Sequence, residues 1–362
     1  MGSVKDLIVL EKPLGNKRGL GRFVFSDRYS VFDWGQMPDK ILNKGRALAV
    51  MAAFNFEGLQ KIGIATHYVG LANENGELIE FRDLKDRSNG SDTMQVELSN
   101  VYRPKEVKLE GRLGYDYSFY HENRGRLNNF LIPLEIIYRN GLPLGSSVFK
   151  KIEKIKNEIA DPETREKVLQ KIYEGYGLKS EPKPGDMLPE PVIGYTTKLE
   201  PGDRSLEDRD AYKLSGLCDE DFKDVKPLAL AVNDFINKQA VDKLGLNPHW
   251  DGKVEMAYFH SLEIVDVVGT LDEDRFGTLV SKEILRQWYK RNQPEFSLAC
   301  DEWKKTGEGW QERCPVKPVN LPSDLVSAVS QMYQAATNRY VERRIFNVPE
   351  LEEVACMLAG FG

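Results

Sequence analysis

An α+β fold is what the sequence predicts, and three observations predict it. Leu7-Ile8-Val9-Leu10, the glycine-rich stretch Gly15-Asn16-Lys17-Arg18-Gly19-Leu20-Gly21 and Arg22-Phe23-Val24-Phe25 read as strand, turn, strand. Lys253-Val254-Glu255-Met256-Ala257-Tyr258 and Leu262-Glu263-Ile264-Val265-Asp266 alternate in polarity, as a hairpin does. Apolar residues then recur at helical spacing over residues 47–59, 221–244 and 323–340.

Taken in order, the first turn can close over nucleotide phosphates, because glycine lets backbone N–H groups approach oxygen and Lys17 adds a point charge; a plain hairpin turn is the alternative. Ser26-Asp27-Arg28-Tyr29-Ser30-Val31-Phe32-Asp33 follows, rich in ionisable groups that suit a site or a salt-bridged loop. Asn43-Lys44-Gly45-Arg46 leads into a helix from Ala47 to Leu59, with Leu48, Met51, Ala52 and Phe56 on one side. Ala72 to Arg126 is polar and turn-rich and reads as short strands between exposed turns.

Ile132-Pro133-Leu134-Glu135-Ile136-Ile137-Tyr138 reads as a buried strand, ending in Arg139-Asn140 and a turn at Gly145-Ser146. Phe149 to Gly177 is a charged helical stretch broken at Asp161-Pro162. Further helices are expected over Leu206 to Leu217, over Asp221 to Leu244 with a stop at Gly245, and from Val280 to Tyr289 and Ser323 to Tyr340. Trp303 to Pro318 reads as loop.

The bulk properties narrow the function. The chain has 362 residues and a formal net charge of -6, with basic residues scattered among acidic ones, so no stripe of Lys and Arg can track a nucleic-acid backbone. No run approaches the about 18 apolar residues that span a bilayer, and Met1-Gly2-Ser3-Val4-Lys5-Asp6 lacks an apolar leader; a cytoplasmic protein that meets no membrane is expected. Cys218, Cys300, Cys314 and Cys356 have no metal-site spacing, and His67, His121, His249 and His260 stand outside any HExxH or triad context.

What the charged positions suit is ATP-dependent activation of a carboxylate. That chemistry needs carboxylates for Mg2+, cations for phosphate and a shielded place for an amine to attack. Glu255 and Asp266 lie on the two strands of the hairpin, and Lys253 shares a face with Glu255. Cross-strand ion pairs on an exposed face would look the same. Arg139 with Gly145-Ser146 suits a phosphate clamp, or an arginine that merely ends a strand.

In their order along the chain these pieces resemble the phosphoribosylaminoimidazole-succinocarboxamide synthetase (SAICAR synthetase) family. Ser26 to Asp33 looks like the family's TDRxSAFD segment. Asn43-Lys44-Gly45-Arg46-Ala47-Leu48 into Ala52-Ala53-Phe54-Asn55-Phe56-Glu57 is similar to its KGxVLTxxSxFWFE segment, and Thr66-His67 to its xxH. Arg139-Asn140 with Gly145-Ser146 resembles RNxxxGS, with one residue more. Asp251-Gly252-Lys253-Val254-Glu255 is similar to DxKxE, and Asp266 through Thr270, Asp272, Arg275 and Phe276 to DExxTPDxxRF. Tyr195-Thr196-Thr197-Lys198-Leu199-Glu200 resembles the loop that carries the family's KxD.

The resemblance implies an N-terminal antiparallel sheet domain (1–135, with an insertion around 72–126) and a larger α/β nucleotide-binding domain (136–362), with a cleft between them. It implies ATP and Mg2+, a ribonucleotide carboxylate and an amino acid as ligands, and an ADP-forming ligase of purine biosynthesis that works through an acyl phosphate. Lys253, Glu255 and Asp266 become the catalytic expectation, with Glu255 and Asp266 on the metal. Gly15, Lys17, Arg18, Lys198 and Glu200 are expected at the nucleotide, and Asp27, Arg28, Ser30, Asp33, Lys44, Gly45, Arg139, Ser146 and Arg275 at the substrates. Self-association is left open. Val267 in place of a second acidic residue, Leu271 in place of proline and Ala49-Val50 in place of Thr-Gln keep two other readings alive: a relative that joins a different amine or carboxylate, and a non-catalytic nucleotide-binding protein.

Overall fold

A computed structural model of the protein describes residues 4–109, 112–200, 202–245, 249–277, 280, 282–307 and 309–361. Residues 1–3, 110–111, 281 and 308, which fall within segments read above, lie outside the described residues.

The first sheet is built from β1 (Lys5–Glu11), β2 (Gly19–Phe25), β3 (Tyr68–Ala72), β4 (Leu78–Ile79) and β5 (Thr93–Leu98), antiparallel in the order β1-β2-β5-β3-β4. Along β2 every second residue is buried, the alternation expected of a strand with one face on a core. That core is supplied by α1 (Lys44–Lys61), whose Ala47, Ala49, Val50, Met51, Ala52 and Ala53 are fully buried. Helix α1 can start where it does because Gly45 lacks a side chain: a Cβ there would lie 2.7 Å from the Phe25 carbonyl oxygen. Its first turn is capped by Asp27, whose Oδ1 accepts from the Gly45 N–H at 3.1 Å.

β6 (Lys105–Leu109) and β7 (Arg112–Asp116) form a separate ribbon, followed by the short α2 (Ser118–Glu122). The polar 72–126 segment is thus part scaffold, because β5 sits in the middle of the first sheet. β8 (Phe130–Leu142) runs unbroken through residues 135 and 136 and joins the second sheet at Phe130, opposite Tyr258. α3 (Ser147–Glu158) and α4 (Pro162–Gly175) come next; Asp161 caps α4 through the Thr164 N–H at 2.8 Å and Pro162 fits its first turn, which explains the break between them.

β9 (Asp186–Thr197), β10 (Ser205–Leu206), α5 (Asp208–Ser215), α6 (Asp219–Lys223) and α7 (Val225–Gln239) lead to β11 (His249–Tyr258), β12 (Leu262–Val265) and β13 (Arg275–Phe276). The second sheet has the order β10-β9-β8-β11-β12, with β13 on β11. The two sheets are stitched together by parallel bridges at Thr66–Ile264 and Asn100–Phe130. The chain closes with α8 (Glu283–Asn292), α9 (Pro294–Trp303), α10 (Trp310–Arg313), α11 (Ser323–Val341) and α12 (Leu351–Ala359), of which α11 packs on α1.

The mixed helix-and-sheet class is as expected from the sequence. Helices α9, α10 and α12 were not, and α10 lies inside the stretch read as loop. α9 starts with Pro294 at its first turn, where the missing N–H costs nothing. Among the described residues no helix is long and apolar enough to cross a membrane.

Candidate active site

The site is organised by one face of β11. Side chains alternate along a strand, so Asp251, Lys253 and Glu255 point the same way. Their cross-strand neighbours share that face: Arg139, Ile137 and Glu135 on β8, Arg275 on β13 opposite Asp251, and Val265 on β12 opposite Glu255. At about 3.3 Å per residue, roughly 13 Å of strand separates residue 251 from residue 255.

At the 255 end, Glu135 and Glu255 stand directly opposite each other, an arrangement that repels unless cations intervene. Two lysines do so. Lys198 Nζ lies 2.9 Å from Glu135 and 2.6 Å from Glu255. Lys253 Nζ lies 3.1 Å from Glu135, 3.2 Å from Glu255 and 3.2 Å from Glu273. Burial disfavours the charge on both amines, yet Glu255, Glu135 and Asp266 raise Lys198, and Glu273, Glu255 and Glu135 raise Lys253. Burial and the nearby Asp266 push Glu255 up, against the pull of Lys253 and Lys198. Burial also opposes the Asp266 charge, but Lys5, Lys253 and Lys198 overcome it and hold that carboxyl well below the usual range.

Asp266 reaches this cluster by an irregular route. The register sets Val265, not Asp266, opposite Glu255, so an extended residue 266 would point to the other face. Its backbone is instead left-handed, with φ 66°. Lys5, at the start of β1, pairs with its carboxylate at 2.6 Å, and His67 Nε2 lies 3.1 Å from its carbonyl oxygen. Val267 is buried in the core, so this position packs and offers no ligand.

At the 251 end, Arg275 grips Asp251 with two nitrogens, Nε at 2.6 Å and Nη2 also in contact. Arg139, on the other side of Asp251, donates from Nη2 to Ser147 Oγ at 3.1 Å, and its Nε is buried with no partner among the described residues. That guanidinium therefore reaches the N-terminus of α3, where Ser146 caps the Val148 N–H at 3.4 Å and Gly145 turns with φ 84°. Two guanidiniums, a helix N-terminus and a hydroxyl together suit a phosphate dianion. Behind the strip, Asp274 accepts from Tyr138 at 2.7 Å and pairs with His249 at 2.8 Å, and a Cβ on Gly252 would fall 2.1 Å from Asp274 Oδ2. Glycine inside the strand thus lets the loop carrying Arg275 pack against β11.

The other expected residues lie around this strip. Gly15 has φ 54°, and its carbonyl is held by Asn100 and Asn129 at 2.8 and 3.1 Å. Lys17 is exposed and paired with Glu11. Arg18 is tied to Glu97 and, at 2.6 Å, to Glu263, and its guanidinium carbon lies over the Phe259 ring, 4.0 Å from its centroid. Glu200 is occupied by Arg204 and Tyr117. Asp27 caps α1, Arg28 pairs with Asp6 at 2.8 Å, and Asp33 pairs with Lys304 at 2.8 Å. Lys44 is buried against Asp272 at 2.6 Å, with the Tyr333 hydroxyl on the second oxygen at 2.7 Å. Despite burial, Lys44 and Lys282 hold Asp272 down at about 2. Ser30 stands half-buried beside Tyr29.

Sequence reasoning missed Lys5, Glu135 and Glu273, and gave Asp251 no role. A lone glutamate inside the apolar run 132–138 was the one available signal, since a buried charge requires partners. Lys5 and Glu273 carry no local mark.

The fit to Mg2+ follows from the donor set. Glu255 and Asp266 offer hard carboxylate oxygens, and no group of three or more metal-binding side chains gathers among the described residues. Mg2+ is commonly held by one or two carboxylates, with phosphate oxygens and water filling the rest.

Comparison with known proteins gives one answer. Residues 4–300 match the SAICAR synthetase family. A protein of Archaeoglobus fulgidus provisionally named phosphoribosylaminoimidazole-succinocarboxamide synthase is 42% identical, over 99% of this chain and 98% of its own length. The phosphoribosylaminoimidazole-succinocarboxamide synthase of Thermoplasma acidophilum is 31% identical over 88% of this chain and 91% of its own. Among solved structures, the SAICAR synthase of Saccharomyces cerevisiae complexed with SAICAR superposes with a TM-score of 0.61 at 20% identity, over 95% of this chain and 94% of that one. A SAICAR synthetase in complex with ADP gives 0.51 at 18% identity, over 88% and 99%.

Proposed function

The chain belongs to the SAICAR synthetase family, and from that premise we propose how its own residues carry out the reaction. It is an ATP-dependent, ADP-forming ligase of purine biosynthesis, condensing a carboxyaminoimidazole ribonucleotide with L-aspartate. The observation that carries the residue-level reading is the ordered strip on β11, with a dianion clamp at one end and a carboxylate pair at the other.

In this reading Arg139, Arg275 and the Ser146 turn hold the 5′-phosphate of the ribonucleotide, and the roughly 13 Å of strand sets the imidazole carboxylate toward Lys253 and Glu255. That carboxylate attacks the γ-phosphorus of ATP, and ADP leaves. The amine of aspartate, as the free base, then attacks the acyl carbon; inorganic phosphate departs with the C–O electron pair, and the nitrogen gives up one proton to the departing phosphate or to solvent. Lys253 and Lys198 lie beside the charge that builds on the transferring oxygens, where fixed cations in a water-poor site are most effective. Glu255 and Asp266 would hold Mg2+, which supplies charge neutralisation across the phosphates.

In the same reading the nucleotide would lie between the two sheets, with Lys198 at its edge and the Gly15–Lys17 turn over its phosphates. Lys17, whose exposed ammonium is paired with the exposed Glu11, can trade that partner for phosphate oxygen. Arg18 and Glu200, both already engaged, are given the role of bracing the turn and the loop. The 26–33 segment and Lys44-Gly45 border the strip through Asp272, next to Glu273, and form the region left for the amino acid. No observation on the site favours a different amine or a non-catalytic role: Val267, the main ground for both, is a core residue.

The test is to incubate the protein with Mg-ATP, the ribonucleotide and L-aspartate and to follow ADP and the succinocarboxamide together. Equal amounts of both are expected. ADP release with another amine alone, or nucleotide binding without turnover, would overturn the assignment.

A further inference from the structure

We propose that His67 is a positioning residue for catalysis: its ring N–H holds the backbone of Asp266 in the left-handed turn that brings the Asp266 carboxylate to the Glu255 face. The inference rests on the reading of Glu255 and Asp266 as the metal pair and goes beyond it to how the pair is assembled.

Two strands with this register cannot by themselves bring the two carboxylates together. Glu255 faces Val265, and the next residue of an extended strand points away. Asp266 escapes that constraint by a positive φ of 66°, a conformation that Asp adopts more readily than most residues with a Cβ. Contacts at both of its ends select it. The carboxylate end is held by Lys5 at 2.6 Å, but a bound metal would compete with that lysine for the same oxygens. The carbonyl end is held by His67 Nε2 at 3.1 Å, and no metal competes there.

His67 is unusually well placed to do this. Its N–H donates to the Ile264 carbonyl at 3.1 Å and its carbonyl accepts from Glu97 at 2.8 Å, so its backbone joins β12 to β5. Its ring is buried between Phe23 and Phe56, with centroids 5.8 and 5.5 Å away. Water cannot replace its hydrogen bond, and the ring cannot turn away without losing both contacts. The rest of the reaction makes no use of this histidine. Its ring reaches the carboxylate pair through the Asp266 carbonyl.

The decisive variants are His67→Phe, which keeps a ring between Phe23 and Phe56 but removes the donor, and His67→Gln, which restores a donor. Asp266→Asn serves as the reference. Calorimetry would measure ADP affinity with and without Mg2+, beside kcat, the Mg2+ concentration for half-maximal rate, the KM for the ribonucleotide and Tm. His67→Phe should weaken the Mg2+-dependent part of ADP binding and raise the half-maximal Mg2+ about tenfold or more, as loss of a group that orients a metal ligand does. ADP affinity without Mg2+ and the ribonucleotide KM should stay within about twofold of the parent, and His67→Gln should recover most of the loss. If His67→Phe folds poorly, His67→Leu is measured at a temperature below its Tm.

An unchanged Mg2+ requirement in His67→Phe, with Asp266→Asn impaired, would overturn the proposal and leave the site reading intact. Equal losses at the metal and the ribonucleotide, or no recovery in His67→Gln, would also overturn it, since both are marks of a merely structural residue. An unchanged Mg2+ requirement in Asp266→Asn would instead remove the metal assignment on which the inference stands.

Discussion

The two ends of the β11 strip use the same charges in opposite ways. At the 255 end, Glu135, Glu255 and Asp266 are matched by Lys198, Lys253 and Lys5, each lysine a point charge on a flexible stem. At the 251 end a single carboxylate, Asp251, lies between two arginines whose planar forks are fixed by bidentate contact or by a helix terminus. Lysines can yield their carboxylates to a divalent cation, while at the arginine end the unpartnered Nε of Arg139 is the donor left for an anion and Arg275 is already engaged by Asp251. The difference teaches that the strip is polarised: carboxylates balanced by lysines gather at one end and arginines around a single carboxylate at the other, the contrast on which the proposed metal and phosphate sites rest.

The largest effect expected from breaking this polarity is at the carboxylate end. Asp266→Asn should lower kcat about 10³-fold, through loss of a metal ligand and of the charge that balances the lysines. Rates measured across a Mg2+ titration check this, and an unchanged Mg2+ dependence would place the ligand elsewhere. At the other end, Arg139→Ala should raise the KM for the ribonucleotide by about 10- to 100-fold, the scale of a charged bidentate contact, while the KM for ATP moves less than about threefold. Equal effects on both constants in steady-state kinetics would dissolve the distinction between the ends.

A third prediction concerns the ion pair behind the strip. Asp272 is held at about 2, below its unfolded value near 3.9, so its pairing with Lys44, helped by Lys282 and the Tyr333 hydroxyl, stabilises the fold above about pH 4 and fades as pH falls toward about 2. The stake is on the order of 2 kcal/mol. Lys44→Met should therefore lower Tm more at pH 7 than at pH 3, and an equal loss at both would show that packing, not charge, is what Lys44 contributes. The smallest effect is expected at the turn, where Lys17→Ala should raise the KM for ATP about fivefold or less and leave the ribonucleotide KM alone, because an exposed lysine is worth little.

Much of the candidate strip was legible because its charges are local. Asp251-Gly252-Lys253-Val254-Glu255 puts three charges on one face of a strand by alternation alone, and Arg139 follows directly on a buried strand. Glu135 was legible in principle and overlooked. Lys5 was not legible at all, since nothing near it in the chain announces a partner at residue 266.

What the sequence by itself determined is the set of charges and their order, together with the helix-and-strand pattern that carries them. Only the tertiary structure decided which charges meet. The pairing of β11 with β12 sets Val265 opposite Glu255, and a shift of one residue would turn every side chain to the other face. The left-handed turn at Asp266 then reverses that outcome for one carboxylate, held by groups some 200 and 260 residues earlier in the chain. Period and propensity act between neighbours, whereas register and the support of a strained backbone depend on contacts between distant segments, which exist only once the chain has folded.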